Sequence, residues 1–143
     1  MEAQEIFDKC AVHLFAQGER SGYSSGGNPA EDFVCLYRGP EGRMCAVGIF
    51  ISDELYIRGM EGATISCLLE QETYPLPTYM TEQQGLLSSL QFAHDNDRSW
   101  QSSVAMRQAL RSVAITYALD DKVVDGLRFA WDTADAVPEK EEV

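Results

Sequence analysis

At 143 residues, with 45% apolar side chains, the chain is long enough to bury its own core and too apolar for a disordered polymer. Its 23 acids against 11 lysines and arginines give a formal charge of −12, the wrong sign for binding nucleic-acid phosphates directly. No apolar run reaches the ~20 residues that cross a bilayer, and no basic patch precedes an apolar stretch at the N-terminus. A cytoplasmic protein in a bacterial host is the expectation.

Residues 2–17 predict an amphipathic helix. Ile6, Phe7, Cys10, Ala11, Leu14 and Phe15 recur at helical spacing, and Gly18 is placed to end it. The segment over 18–29 is rich in glycine and serine and reads as a loop. Residues 31–38 read as a strand with both faces apolar, and Gly39-Pro40-Glu41-Gly42 as its turn. Residues 43–51 then read as the returning strand of a β-hairpin, with Gly48 marking a bulge or a close backbone approach. Ser52-Asp53-Glu54-Leu55-Tyr56 suggests a single turn capped by Ser52, and residues 64–70 a short helix. Tyr74-Pro75-Leu76-Pro77 cannot be helical and forms a seam near 74–80 inside one domain over 1–143.

Three helices are expected beyond that seam. Thr81 with Gln84 fits a capping box, ahead of Leu86, Leu87, Leu90 and Ala93. A second helix opens at Ser99 or Gln101, with an apolar stripe through Met106, Ala109, Leu110, Val113 and Tyr117. A third opens at Asp120 or Asp121 and buries Val123, Val124, Leu127 and Trp131; the charged tail after Pro138 frays. The fold class read here is α+β: an N-terminal helix, an antiparallel β-hairpin or small sheet, and a C-terminal group of about three helices.

Cys10, Cys35, Cys45 and Cys67 form no C-x-x-C pair and read as small buried hydrophobes. In the hairpin register, Cys35 faces Ala46 and Cys45 faces Leu36, so the two sulfurs point to opposite faces. Zinc is not expected, nor is any other cofactor.

Several blocks occur in a fixed order: Tyr37-Arg38-Gly39-Pro40-Glu41-Gly42-Arg43-Met44-Cys45-Ala46-Val47-Gly48, then Asp53-Glu54-Leu55-Tyr56, then Met60-Glu61-Gly62. Leu86-Leu87-Ser88-Ser89-Leu90-Gln91-Phe92-Ala93-His94-Asp95 follows, with Trp100 downstream. Over roughly residues 5–115 this resembles a family of small, mostly uncharacterised proteins of bacteriophages and prophages. Ser52 stands where that pattern has proline. The resemblance implies a phage or mobile-element accessory protein and carries over no catalytic residue.

His94-Asp95 invites a metal-dependent hydrolase, with His13 and Asp120, Asp121 or Asp125 as further ligands. The plainer reading is a histidine at a helix C-terminus, bonded to its neighbours. Cys35 or Cys45 as nucleophile needs a base, for which His94 is the candidate. The glycines over 22–27 lack the phosphate-loop pattern. Arg38, Arg43 and Glu61 suggest a polar pocket or, more plainly, hairpin surface charge.

Charge is polarised along the chain. Residues 2–82 hold 13 acids against five basic residues, whereas residues 98–119 hold three arginines and no acid. The leading expectation is a non-enzymatic inhibitor of a host defence complex, of the anti-CRISPR type, docking on a basic surface by acidic mimicry. Its contact residues are expected among Glu31, Asp32, Arg38, Glu41, Arg43, Asp53, Glu54 and Glu61. The alternatives are the His94/Asp95 hydrolase and a homodimeric adaptor joined through the hairpin edge or the helix carrying Arg107 and Arg111.

Overall fold

The computed structural model describes residues 1–26 and 32–133. The architecture is α+β, five helices with one two-stranded antiparallel sheet among the described residues. Helix α1, Ala3–Gln17, buries the six apolar residues that its periodicity marks, and Gly18 ends it in the left-handed region with φ 76°. Its stripe packs against helix α4, Gln84–Asp95, whose Leu86, Leu87, Leu90 and Ala93 are buried. Helix α5, Ser103–Thr116, adds Met106, Leu110 and Val113 to the same core. One cluster of buried side chains runs from Ile6 to Phe129, on both sides of the Pro75-Leu76-Pro77 seam.

The small sheet is not built where the turn signal places it. Strand β1, Gly22–Ser24, lies in the expected loop and pairs with β2, Phe33–Cys35. Gly22 has φ 148°, and a Cβ there would lie 2.0 Å from the Val34 carbonyl oxygen. The turn at residues 39–42 exists as a tight 3-10 turn, closed by Gly39 N–H to the Arg43 carbonyl at 2.7 Å. The chain after it does not return as a strand. It passes through Cys45 and Ala46 into a 3-10 turn, Gly48–Phe50, and Cys45, Ala46, Val47, Phe50 and Ile51 fill the core. A strand here would have turned half of these apolar residues away from the core; a compact coil buries them together.

Arginine takes the place of a ladder in this coil. Arg38 donates to the carbonyls of Gly48 and Ile51, and its guanidinium lies 4.8 Å over the Tyr56 ring. Glu61 clips the same region by accepting Tyr37 N–H at 2.8 Å, Arg38 N–H at 3.1 Å and the Tyr56 hydroxyl at 2.6 Å. The turn after Ser52 is held by the Ser52 carbonyl, which accepts from Leu55 and Tyr56.

Helix α2, Ile65–Glu70, starts where expected, with the Thr64 hydroxyl accepting Cys67 N–H. Helix α3, Thr78–Glu82, begins directly after Pro77, so Thr81 lies inside it and caps nothing. Gln84 is correspondingly drawn away, donating to the Ser66 hydroxyl at 2.6 Å. The cap of α5 is Ser102, one residue beyond the expected start, and it accepts Ala105 N–H at 3.0 Å.

The third C-terminal helix is replaced by a 3-10 turn, Lys122–Gly126, with Val124 buried. Leu127 after it is extended, and buried Arg107, 1% exposed, donates to the Leu127 carbonyl at 2.6 Å. Phe129, not Trp131, enters the core; Trp131 stacks on it at 4.9 Å and donates to the Gly18 carbonyl at 2.8 Å. The tail after Pro138 lies outside the described residues.

Gly48 gives a direct check of this packing. A Cβ there would lie 2.4 Å from the Tyr37 carbonyl oxygen, against backbone that cannot rotate away. Gly48→Ala is expected to lower stability by about 1–3 kcal/mol, read as a lower urea midpoint with an unchanged slope.

Candidate functional site

The densest group of chemistry-bearing side chains stands at the C-terminal end of α4. Gln91, His94 and Asp95 occur at helical spacing and project from one side of that helix. Each takes a partner from a segment lacking regular structure or from the short sheet. The Ser21 N–H donates to His94 Nε2 at 2.9 Å, and the Val47 N–H to Gln91 Oε1 at 3.1 Å. Gln91 Nε2 donates to the Cys35 sulfur at 2.9 Å and to Asp95 Oδ1 at 2.8 Å. Trp100 closes the far side, its indole N–H on the His94 carbonyl at 2.7 Å and its ring edge-on to the imidazole. Arg20 lies 3.9 Å over the Phe33 ring and donates to the Asp95 carbonyl.

These bonds settle the tautomer of His94. A backbone N–H can only donate, so Nε2 is an acceptor and the ring proton sits on Nδ1. Nδ1–H then donates to Asp95 Oδ1, 2.8 Å away. This bears on metal binding, because the Cys35, His94 and Asp95 ligand atoms lie within 4.8 Å of one another. A metal on that side requires the Nδ1 lone pair, with the proton moved to Nε2. There it would meet the Ser21 N–H head-on. The space between the three groups is also taken by the Gln91 amide nitrogen, 2.9 Å from sulfur and 2.8 Å from carboxylate. The donor set does not fit a cation in this arrangement.

A cysteine nucleophile fares no better. Cys35 and Cys45 meet, contrary to the hairpin register, because residues 43–47 fold back as coil. Both remain free thiols. The hydrogen bond with Cys45, followed by burial, pushes the Cys35 thiol well above its ordinary range. Burial does the same to Cys10. Both His94 nitrogens are committed to Ser21 and Asp95, and the Asp95 carboxylate beside Cys35 raises its thiol further rather than activating it. His13 is remote in role, bonded through Nε2 to the Met44 carbonyl at 2.8 Å. Asp121 and Asp125 are held by Arg111, at 3.5 and 2.6 Å.

The expected contact residues divide sharply. Glu41, Asp53 and Glu54 point into solvent; the Asp53 and Glu41 side chains are 91% and 84% exposed. Arg38 and Glu61 turn inward as backbone staples, and neither stands at an exposed tip. Arg43 is largely covered, between Glu19 at 3.4 Å and Glu41 at 3.9 Å. Asp32 is half-buried at the start of β2, and Glu31 lies outside the described residues. Of the elements named for a homodimer, residues 43–51 form no second hairpin strand, Arg107 is buried, and Arg111 is paired with Asp121 and Asp125.

Sequence reasoning overlooked Gln91, Ser21 and Arg20. Gln91 carried a signal, since its spacing from His94 and Asp95 places all three on one side of a helix. Nothing in the sequence pairs Ser21 with His94. Beside this network lies a cleft of about 600 Å³ between β2, residues 62–66 and α4. Asp95 borders the cleft, its Oδ1 taking hydrogens from Gln91 and His94 and its carboxylate standing beside the Cys35 thiol. Comparisons of the chain with protein-family models, curated proteins and solved structures return no match. No helix among the described residues is long and apolar enough to cross a membrane.

Two outcomes follow from this geometry. Added Zn²⁺ is expected to leave the thermal midpoint unchanged, and a rise that tracks zinc concentration would overturn the Nδ1–H assignment. Burial holds the His13 pKa below its ordinary 6.5, outweighing the bond to Met44. As pH falls the unfolded chain therefore takes this proton first, and the stability it withholds is complete above 6.5 and lost on acidification below it. His13→Gln, which keeps a donor for Met44, is expected to lose less stability than the wild type between about pH 7.5 and pH 5.5 in urea titrations.

Proposed function

We propose that this protein performs no chemistry of its own and is a phage-encoded inhibitor of a host defence complex, of the anti-CRISPR type. Its acidic surface occupies a basic site that the target uses for nucleic acid. The observation that carries this reading is the division of charge between inside and outside. The side chains of Arg20, Arg38, Arg43 and Arg111 are 11%, 19%, 16% and 26% exposed, and Arg107 is buried. They are spent on backbone carbonyls and on nearby carboxylates, Arg43 and Arg111 on two each. Glu41, Asp53, Glu54, Glu70, Glu72 and Glu82 meanwhile face solvent. Lys9, Arg58, Arg98, Lys122 and Arg128 are exposed as well, so the surface is mixed in sign with acids in clear excess, in a chain of net charge −12.

Such a surface attracts a basic channel over a Debye length of about 10 Å at 0.1 M salt, which speeds encounter more than it tightens the final complex. The ordered blocks over 37–62 and 86–100 that resemble phage and prophage proteins supply the setting in which such an inhibitor is useful. The closed state of the Cys35, His94 and Asp95 group favours this reading over a metal-dependent hydrolase.

The test is a titration of purified CRISPR–Cas effector complexes, with target nucleic-acid binding as the readout, at about 50 mM and about 300 mM salt. Inhibition is expected to fall steeply with salt and to weaken roughly tenfold in the triple variant Glu41→Gln, Asp53→Asn, Glu54→Gln. Salt-insensitive inhibition, or unaltered nucleic-acid binding by the complexes, sinks the mimicry.

A further inference from the structure

We propose that the open edge of β2 is a docking groove for an extended, basic segment of a partner protein, which adds as a third strand and sets a lysine or arginine against Asp95. The inference deepens the docking reading and rests on it only for the partner's positive charge. Its structural basis is the hydrogen-bond parity of the sheet. Leu36 N–H donates to the Ser21 carbonyl at 3.1 Å, and Ser25 N–H to the Asp32 carbonyl at 2.8 Å. With Tyr23 opposite Val34, that makes Tyr23 and Val34 the pair that exchanges hydrogen bonds. The N–H and C=O groups of Phe33 and Cys35 therefore point away from β1. They have no backbone partner among the described residues.

Tyr37 confirms the direction. Its N–H has the same parity as those of Phe33 and Cys35, and it is met by the Glu61 carboxylate at 2.8 Å. The edge is thus closed at Tyr37 by the chain itself and left open two and four residues earlier. The cleft of about 600 Å³ begins there, floored by Gln91 and Asp95 and walled by residues 62–66. Phe92, 70% exposed, stands at its rim as an apolar contact. An unpaired edge beside a cleft is the arrangement by which extended peptides are taken up by strand addition.

Charge selects the occupant. Asp95 is the one charged side chain lining the cleft among the described residues, and its side chain is 40% exposed there. Asp97, 39% exposed, stands just beyond and is paired with Arg20 at 3.4 Å. A second copy of this chain brings another −12 to the same groove and is disfavoured. A peptide alternating basic and apolar residues places cations on one face and apolar contacts on the other.

The experiment uses a labelled octapeptide alternating arginine and valine, a glutamate-for-arginine counterpart, and a version N-methylated at the amides that would face β2. Binding is read by anisotropy and mapped by amide chemical shifts. The arginine peptide is expected to bind, with the largest shifts at Phe33, Cys35, Ala63 and Thr64. The glutamate and N-methylated peptides are each expected to bind at least about tenfold more weakly, the cost of a charge-assisted contact or of lost ladder bonds. Asp95→Asn keeps an acceptor for His94 and Gln91 and is expected to weaken the arginine peptide about tenfold. No binding, equal binding of the N-methylated peptide, wild-type affinity in Asp95→Asn, or shifts centred on Asp53 and Glu54 overturns the groove. The N-methyl arm leaves the protein unaltered, so no folding defect can imitate the result. If target complexes are inhibited with steep salt dependence and the peptides do not bind, the groove alone fails. Peptide binding without inhibition of any complex retires the mimicry alone.

Discussion

The polar end of α4 is the constraint around which the rest of the structure is arranged. A chain with few regular strands must satisfy many backbone N–H groups without ladders, and buried ones left unpaired are costly. Gln91 and His94 supply acceptors to Val47 and Ser21, residues that no regular element binds. Both side chains depend on Asp95, which receives a hydrogen from each of them. The His94 ring can accept from Ser21 only because Asp95 holds its proton on the other nitrogen. The group that most resembles a catalytic constellation is thus consumed in holding β1, β2 and residues 45–48 against one helix.

The arginines follow the same logic from the opposite sign. Arg38 and Arg107 reach into the protein and bind carbonyls that secondary structure leaves open. Arg111 gathers Asp121 and Asp125 around the last 3-10 turn. Using cations as internal staples has an electrostatic consequence outside. Lys9, Arg58, Arg98, Lys122 and Arg128 are the cations left exposed among the described residues, against a larger number of exposed carboxylates.

Where the sequence is periodic, it is legible. The apolar stripes of α1, α4 and α5 and the start of α2 follow from spacing and caps, because an amphipathic helix is a local object. The turn at residues 39–42 is equally local, and its proline and glycines predict it correctly. What they do not predict is the path afterwards. Whether a turn becomes a hairpin depends on whether the returning segment gains more by pairing or by burial, and Cys45, Ala46 and Val47 are all fully buried.

The sequence by itself determined the helical core, the α+β class, the acidic balance and the identity of the side chains able to bond. Tertiary structure decided which of them are spent. Arg38 and Glu61 read as surface charge because their side chains are charged, yet they are held inside by backbone groups brought from ten to twenty-four residues away. His94 and Asp95 read as reactive until Ser21, 73 residues earlier in the chain, fixes the proton between them. Such partners have no periodicity to announce them, since they meet only where the folded chain crosses itself. The open edge of β2 is of the same kind: it exists because β1 covers one side, Glu61 closes one end, and no segment among the described residues pairs with the rest.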